Sequence, residues 1–373
     1  PVIARYLPNV PNLRFPGFSG EWELKRIDEI SPLQRGFDLP SQSLQVGSVP
    51  VVYSNGIMNY HNESKCVAPG IVTGRSGTIG RLTYIESGPY WPHNTSLWVT
   101  DFKGNIPLFV YYLLEHIDLS RFSSGSGVPT LNRNDVHAFK TCIPSVEEQH
   151  KIADCLSIID KRISIQNKVI EDLKKLKTAL EERMLGQCQG KQVRLRDILI
   201  ERVEKSRINN QYEVLSSTVS GIYSQREYFN KEIASADNTG YKAIHRGDVV
   251  LSPQNLWMGN INYNDRFEIG IVSPSYKVFS IDEKFDKGYI AFLLKTRKAL
   301  WAYSLVSEQG ASIVRRNLNY ESFLEISFVI PSLKEQQATA RRLSAFKQKQ
   351  TMEEAFLRSL LLQKEFMLKS LFI

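Results

Sequence analysis

The sequence has few of the features that mark membrane and metal-binding classes of protein. It contains no apolar run near the roughly 20 residues that a membrane span requires, and its first residues lack the apolar core of a signal peptide. Its four cysteines form no CxxC pair, which argues against a zinc knuckle or disulfide framework and favours free, buried thiols. We therefore expect a cytoplasmic protein with no membrane partner.

Catalytic motifs are also missing. The sequence has no GxxxxGK[ST] P-loop, HExxH, GxSxG or EF-hand pattern, and its six histidines are scattered without ligand spacing. The glycine-rich stretch 70–80 lacks the lysine and the following helix of a P-loop, and it is more typical of two turns around a strand. Neither the clustered carboxylates of a nuclease nor the cofactor loop of a methylase is found. The sequence thus predicts no catalytic residue, cofactor site or metal ligand in this chain.

The composition is that of an ordinary globular protein in a long chain. The 373 residues, 42% hydrophobic and 23% charged, exceed what one core comfortably holds, so at least two domains are expected. The net charge of +8 favours a polyanionic partner, although many proteins without one are equally basic. Because the excess is spread thinly along the chain, a DNA-binding face requires local clustering of basic residues.

An internal repeat organises the chain. Residues 143–149, IPSVEEQ, recur as residues 330–336, IPSLKEQ, at an offset of 330 − 143 = 187. Further identical pairs follow at the same offset without a gap: Ala153 and Ala340, Leu156 and Leu343, Ser157 and Ser344, Leu173 and Leu360, Lys177 and Lys364. A register this long indicates duplication rather than chance.

Both copies predict the start of a long amphipathic helix. A proline and a Ser-x-x-Glu capping box mark each start, Ser145 with Glu148 and Ser332 with Glu335. Residues that step alternately by three and four then form a heptad seam, which polar residues interrupt. The apolar seam positions predicted to pair the helices are Leu156, Ile159, Ile163, Ile170, Leu173, Leu180, Leu343, Phe346, Leu357, Leu360, Met367 and Leu371.

Each helix is about 40 residues, or about 60 Å at 1.5 Å per residue, which is too long to bury its strip in one small domain. We therefore predict that the two helices pair within the chain as an antiparallel coiled coil, because a globular half separates them. Two alternatives stay open. Each helix could pack on its own half, or the helices could form a coiled coil between molecules.

The stretches before the helices share an order of landmarks but little sequence. A short helix pattern at 22–30 is followed by a turn and strand, a glycine near a hairpin, an aromatic-rich strand and an aromatic helix. The aromatic helix is predicted at 107–116 in the first half and at 287–301 in the second. The predicted fold class is α+β (mixed α/β), with globular domains alternating with long helices. The predicted segments are 1–142, the first globular domain; 143–187, the first spacer helix; 188–329, the second globular domain; and 330–373, the second spacer helix.

Loop residues with donor groups beside glycine or aromatic residues are the candidates for DNA contact. Backbone there can approach phosphates, arginine can form two hydrogen bonds with guanine, and asparagine or glutamine can do so with adenine. In the first half the candidates are Arg75, Ser76, Thr78, Ser123, Ser124, Ser126, Asn132 and Arg133. In the second half they are Gln254, Asn255, Trp257, Ser312, Arg315, Arg316 and Asn317. For any single one, a solvated loop residue is an equal alternative, so the loops are predicted as groups.

With two such helix starts half a chain apart, the sequence resembles the specificity subunits of type I restriction-modification systems over essentially its whole length. Residues 12–18, NLRFPGF, and 125–132, which begin Gly-Ser-Gly and end Leu-Asn, are similar to motifs of that family. The second copy departs from the first, with QQATA at 336–340 in place of QHKIA at 149–153. This departure leaves open whether the two helices bind partner subunits in the same way.

The resemblance implies two target-recognition domains, each binding one half of a split site in double-stranded DNA, and two helices that act as a spacer. The helices would dock two methyltransferase subunits, which use S-adenosylmethionine to methylate adenine N6, and the larger complex would add restriction subunits that use ATP and Mg. The chain itself would have no cofactor. One helical turn, about 5.4 Å, would then change the gap between half-sites by one to two base pairs at about 3.4 Å each.

Our interpretation is a non-catalytic, sequence-specific DNA-binding subunit. One alternative is a methylase or nuclease with a diverged active site, which activity of the isolated chain would reveal. The other is a coiled-coil assembly protein without nucleic acid, which the absence of any salt-sensitive gel shift would favour.

Overall fold

In this computed structural model of the chain, the described residues are 10–124, 129–229, 237–309 and 316–373. The first globular half consists mainly of short strands. They are β1 (Glu23–Arg26), β2 (Leu33–Arg35), β3 (Val49–Tyr53), β4 (Gly56–His61), β5 (Cys66–Val67), β6 (Gly70–Gly74), β7 (Leu82–Ile85), β8 (Pro89–Pro92), β9 (Ser96–Val99), β10 (Ser123–Ser124), β11 (Thr130–Leu131) and β12 (Lys140–Ile143). Its helices are α1 (Ile27–Ile30), α2 (Pro107–Ile117) and α3 (Arg133–Ala138), with 3-10 turns at Ser41–Ser43 and Leu119–Phe122.

Two four-stranded sheets form the framework of the first half. One has the strand order β2-β9-β6-β7 and the other the order β4-β3-β8-β5. The helix α2 packs on β6 and β7, and its Phe109 and Leu113 are fully buried. Strand β1 pairs antiparallel with β12, so that Glu23 lies opposite Ile143. This pairing brings the beginning and the end of the first half together.

The first long helix, α4 (Val146–Gly186), begins where the repeat predicts. The backbone N–H of Glu148 donates to the Ser145 hydroxyl at 3.5 Å, as in a capping box. The buried Glu148 carboxylate, however, accepts two hydrogen bonds of 2.8 Å from the guanidinium of Arg14. The Glu148 carboxylate is therefore paired with Arg14 of the NLRFPGF segment instead of completing the capping box.

The second half has a similar set of elements. Its strands are β13 (Lys191–Arg194), β14 (Leu199–Glu201), β15 (Leu215–Thr218), β16 (Gly221–Ser224), β17 (Lys242–His245), β18 (Val249–Leu251), β19 (Ile261–Tyr263), β20 (Ile269–Val272), β21 (Lys277–Ile281), β22 (Ser307–Gln309), β23 (Arg316–Leu318) and β24 (Ser327–Ile330). Its helices are α5 (Leu195–Ile198), α6 (Gln225–Phe229), α7 (Lys287–Leu293), α8 (Arg297–Leu305) and α9 (Tyr320–Glu325), with a 3-10 segment at Pro253–Met258. The second long helix is α10 (Leu333–Leu371).

The two halves share a topology. The sheet order β14-β21-β18-β19 of the second half repeats the order β2-β9-β6-β7 of the first. Strand β13 pairs with β24 as β1 does with β12, with Lys191 opposite Ile330. The ribbon β22–β23 precedes α9 as the ribbon β10–β11 precedes α3. The duplication predicted from the helices therefore extends to the globular halves.

Two local predictions are wrong. The first part of the helix predicted at 22–30 is strand β1, because pairing of Glu23–Arg26 with β12 outweighs the local helix pattern, and only Ile27–Ile30 is helical. The aromatic helix predicted at 287–301 is two helices, because Thr296 caps α8 by accepting a 3.2 Å hydrogen bond from the N–H of Ala299.

The chain forms two compact units, and the boundary between them falls inside both long helices. One unit comprises Pro1–Asn167 with Ala355–Ile373, and the other comprises Lys168–Glu354. Each unit thus contains one globular half and a part of each long helix. The predicted division into four segments stays a prediction.

Within each unit the two helices run antiparallel. In the first unit, Leu156 near the start of α4 shares a core with Leu371 at the end of α10. In the second unit, Leu185 at the end of α4 shares a core with Leu343 near the start of α10. The predicted α+β class with antiparallel long helices is therefore confirmed. The helix ends also join the cores of the globular halves, so pairing and packing on the halves occur together.

The predicted seam faces inward. Buried seam residues are Leu156, Ile159, Ile170, Leu343, Leu360 and Leu371. Half-buried seam residues are Ile163, Leu173, Leu180, Phe346, Leu357 and Met367. No helix among the described residues is both long enough and apolar enough to span a membrane.

The glutamine that ends the repeated motif has the same role in both copies. The side-chain oxygen of Gln149 accepts from the N–H of Ile106, the residue that caps α2, at 3.0 Å. The side-chain oxygen of Gln336 accepts from the N–H of Asp286, the residue that caps α7, at 2.9 Å. Both glutamines are buried, so each satisfies an otherwise orphaned donor and joins the long helix to the aromatic helix.

Candidate nucleic-acid interface

In the first half, the structure brings together two loops that the sequence predicted separately. Arg75 follows strand β6, and its carbonyl accepts from the N–H of Leu131 at 2.8 Å. Two residues later, the N–H of Gly77 donates to the carbonyl of Pro129 at 3.1 Å. The loop after β6 therefore packs on the ribbon β10–β11, and both lie beside the start of α3.

Arginines line the cleft at this junction. The cleft has a volume of about 460 Å³ and is lined by Arg35, Arg75, Leu97, Thr130, Leu131, Asn132 and Arg133. The carboxylate of Asp38 pairs with Arg35 at 3.0 Å. Three guanidinium groups around one cleft favour an anionic ligand and can bond phosphate or guanine with two hydrogen bonds each.

Arg35 was not predicted as a DNA-contacting residue. It lies on β2, 40 residues before Arg75 (75 − 35 = 40), in a stretch without glycine-rich loop character. The two arginines meet because β2 and β6 both pair with β9. Only the strand order, which the sequence pattern did not reveal, could have identified Arg35.

Of the remaining first-half candidates, Ser123 and Ser124 form strand β10, and Ser76 bridges to Thr130 on β11. Thr78, Ser123 and Ser124 are exposed and Ser76 is half-buried, whereas Ser126 lies outside the described residues. Asn132 caps α3 by accepting a 3.0 Å hydrogen bond from the N–H of Asn134. Its side-chain oxygen therefore already has a structural role, while its amide N–H2 group remains a donor.

A half-buried histidine adds no charge to this site. His93 lies behind the loop after β6, where its Nδ1 is 3.0 Å from the Thr95 hydroxyl. Burial lowers the pKa of His93 below its usual value, so the ring is neutral at pH 7. The positive charge of the cleft comes from the arginines.

In the second half, the two predicted groups also meet. The guanidinium of Arg316, on β23, lies 4.2 Å from the ring centroid of Trp257, in the 3-10 segment Pro253–Met258. Gln254 and Asn317 are exposed, Asn255 is half-buried, and Ser312 and Arg315 lie outside the described residues. An arginine stacked on an indole is rigid and keeps its donors in one plane, which suits recognition of a base edge.

The two candidate sites occupy equivalent positions in the repeat. Each consists of the segment after the central strand, β6 or β18, packed on the ribbon that precedes the last short helix, α3 or α9. Asn132 and Asn319 cap these two helices in the same way. The scaffold is shared, whereas the side chains that line the two sites differ.

The outer faces of the long helices expose apolar side chains in both units. In the first unit these are Ile158, Ile165, Phe356, Leu361, Leu362 and Phe366. In the second they are Val169, Leu176 and Met352. Exposed apolar residues grouped on a helix mark a protein-binding surface. Among the described residues, no group of three or more His, Cys, Asp or Glu side chains is arranged to hold a metal ion.

The chain is similar to one protein-family model and to several solved structures. Residues 19–175 match the model of the type I restriction modification DNA specificity domain. The S subunit of a type I restriction-modification system from M. genitalium is similar over 98% of this chain and 99% of its own, with a TM-score of 0.65 and 16% identity. A chain from work on the "complex assembly and conformational transition of the type I R-M system" is similar over 96% of this chain and 98% of its own, with a TM-score of 0.54 and 12% identity. No curated protein sequence matches.

At these identities the solved structures show a common fold, and the family model matches one part of the chain. The resemblance noted in the sequence is thereby confirmed. Residues 19–175 match the type I restriction modification DNA specificity domain, and nearly the whole length of the chain has the fold seen in the S subunit from M. genitalium.

Proposed function

We propose that this chain is the DNA-reading subunit of a type I restriction-modification complex, in which each half recognises one part of a bipartite site. The observation that carries the proposal is the equivalence of the two candidate sites. An arginine cleft stands in the first half at the position where the second half has the stacked pair Arg316 and Trp257. One scaffold with two different sets of donor side chains fits two unlike half-sites.

The long helices are proposed to carry the partner subunits. Their exposed apolar residues, among them Phe366 in the first unit and Leu176 in the second, would be covered by two methyltransferase subunits, with restriction subunits completing the complex. Chemistry would belong to the partners, which use S-adenosylmethionine, ATP and Mg, so the chain would act without a cofactor. Such a complex would act in the cytoplasm, together with the DNA that it binds.

Binding of duplex DNA by the complex of this chain with its methyltransferase subunits tests the proposal. Arg75→Ala and Arg133→Ala are each expected to weaken binding about three- to tenfold near 0.15 M salt. Each is also expected to reduce the slope of log K against log salt by about one when the lost contact is to a phosphate. Lys103→Ala is the matched control, because Lys103 follows the opposite end of β9 from the cleft.

Equal affinity of the arginine variants and the wild type would contradict the proposed site. Loss of binding by Lys103→Ala as well would indicate a nonspecific effect of charge. Methylation or cleavage of DNA by the isolated chain would instead support a catalytic protein.

A further inference from the structure

A hairpin lies beside the candidate site of the second half, and none of its residues was predicted from the sequence to contact DNA. Strands β15 and β16 pair from Leu215 with Ser224 to Thr218 with Gly221, which leaves Val219 and Ser220 as the turn. The side chain of Val219 is 47% exposed, although turns favour small and polar residues. Val219 is too exposed to serve the hydrophobic core, and a turn does not require valine at this position.

Lys295 fastens this turn to the segment that carries Trp257. Its ammonium donates to the carbonyl of Val219 at 3.2 Å and to the carbonyl of Gly259 at 2.8 Å. Gly259 ends the segment Pro253–Met258 in the left-handed conformation. Lys295 can reach both carbonyls because the chain breaks between α7 and α8, where the sequence predicted one continuous helix.

A buried polar network fixes the base of the same hairpin. The Ser217 hydroxyl donates to Asn260 Oδ1 at 2.7 Å, and Asn262 Nδ2 donates to the Thr218 carbonyl at 2.7 Å. Ser217, Asn260 and Asn262 are all buried. Because polar groups are costly to bury unless every partner is satisfied, this network holds the hairpin in one orientation.

The first half has the equivalent hairpin in the equivalent place. Strands β3 and β4 pair as far as Tyr53 with Gly56, so Ser54 and Asn55 form the turn. The N–H of Ser54 donates to the Thr95 hydroxyl at 3.3 Å, and the Thr95 carbonyl accepts from the N–H of Arg75 at 2.9 Å. Thr95 thus joins this turn to the arginine cleft, as Lys295 joins the other turn to Trp257. Asn55 is exposed, and its φ is outside the left-handed region, so the turn does not require asparagine.

We propose that these two turns, Ser54–Asn55 and Val219–Ser220, are specificity-determining elements that contact the bases of their respective half-sites. The major groove accepts a two-stranded ribbon, and the exposed groups fit base edges: the Asn55 amide matches adenine, and the Val219 methyl groups match the thymine methyl. Lys295 is a positioning residue that sets where Val219 lies. This inference rests on the proposed function, because it assigns new contacts within the same DNA interface.

The test uses the full chain in complex with its methyltransferase subunits. The site is first read from methylated adenines in cells, and affinities are then measured for that duplex and for duplexes with one base pair changed in either half-site. Asn55→Ala is expected to reduce discrimination about tenfold in one half-site only. Val219→Asp and Lys295→Met are expected to do so in the other half-site only, and Lys295→Arg, which can donate to the same carbonyls, restores most of it.

Val67→Asp is the matched control for Val219→Asp, because it makes the same change at an exposed strand position in the first half. It is expected to leave discrimination in the Val219 half-site unchanged. Thermal melting verifies that each variant is folded, and Val219→Asp, which changes an exposed side chain, decides the question if Lys295→Met unfolds.

Unchanged discrimination in Asn55→Ala and Val219→Asp would overturn the inference. If Arg75→Ala and Trp257→Ala weakened binding in the same experiment, the proposed function would still stand. If those two variants also bound like the wild type, the proposed function itself would fail.

Discussion

Lys364 is the residue whose removal should most clearly reveal how the first unit is held together. Its ammonium lies 2.9 Å from the carboxylate of Glu115 on α2 and 2.9 Å from that of Asp160 on α4. The Tyr112 hydroxyl donates to Asp160 at 2.8 Å, and the second oxygen of Glu115 is buried without a hydrogen-bond partner among the described residues. Lys364→Met keeps most of the side-chain volume and removes the charge that compensates both carboxylates.

The expected loss follows from burial. Removing one partner of a fully buried ion pair costs about 3–5 kcal/mol, but Glu115 and Asp160 are 31% and 33% exposed, so solvent screening reduces the loss to about 2 kcal/mol. The first unit has 167 + 19 = 186 residues. At about 2–4 °C per kcal/mol for a domain of this size, its Tm should fall by about 4–8 °C.

The repeat supplies the control. Lys177, which matches Lys364 at the offset of 187, lies 3.7 Å from a single carboxylate, that of Glu181 one turn away. A lone pair of this kind, one helical turn apart and partly exposed, contributes about 0.3–0.5 kcal/mol, so Lys177→Met should shift Tm by about 1 °C. Calorimetry of the two variants and the wild type compares them, and equal shifts from both substitutions would refute the reasoning.

The pH dependence gives a second check on Lys364. Burial lowers the pKa of Lys364, but the hydrogen bonds that its ammonium donates to Asp160 and Glu115 outweigh burial, so the net pKa lies above its usual 10.5. A raised folded-state pKa means that the stabilisation is fully present below the unfolded value and is lost as pH rises through the folded value. The Tm difference between wild type and Lys364→Met should therefore be constant from about pH 7 to 9 and shrink above about pH 10.5.

Three further substitutions test the repeat and the interface. Gln149→Leu leaves the N–H of Ile106 unpaired in a buried site and should cost about 2 kcal/mol in calorimetry; an unchanged Tm would count against the shared role of the motif glutamines. Ser332→Ala removes the hydroxyl partner of Glu335 and should cost about 1 kcal/mol in denaturant unfolding, whereas no loss would exclude a capping contribution. Trp257→Ala removes the platform of Arg316 and should weaken binding of the cognate duplex about tenfold in a gel shift, with wild-type affinity as the contrary result.

The helices could be predicted from the sequence because their signals are local. A proline, a serine three residues before a glutamate, and a heptad seam together determine where α4 and α10 begin and which residues face inward. The order of landmarks in the halves was also visible. The short helix at 22–30 was mispredicted because a strand 117 residues later (140 − 23 = 117) competes for the same backbone groups.

The interface was predicted only in part, for a related reason. Arg75 and Arg133 stand in loops whose composition signals function, whereas Arg35 is a strand residue brought to the cleft by sheet order. Lys295 was hidden inside a pattern that continued as a helix, and only the cap at Thr296 shows that the chain breaks there. A residue such as Lys295, which acts by donating hydrogen bonds to backbone carbonyls far away in the sequence, cannot be identified from sequence spacing.

The most direct test of the central claim is the replacement of one half. Residues 23–143 are a natural segment to exchange, because the antiparallel pair Glu23 and Ile143 closes the first half, and 191–330 is its counterpart in the second. Residues 23–143 would be replaced with the corresponding module of another specificity subunit, and methylated adenines would be mapped genome-wide in cells that carry the chain and its partners. We predict a bipartite motif in which one part changes while the other part and the gap stay the same. A change in both parts, or in neither, would contradict it.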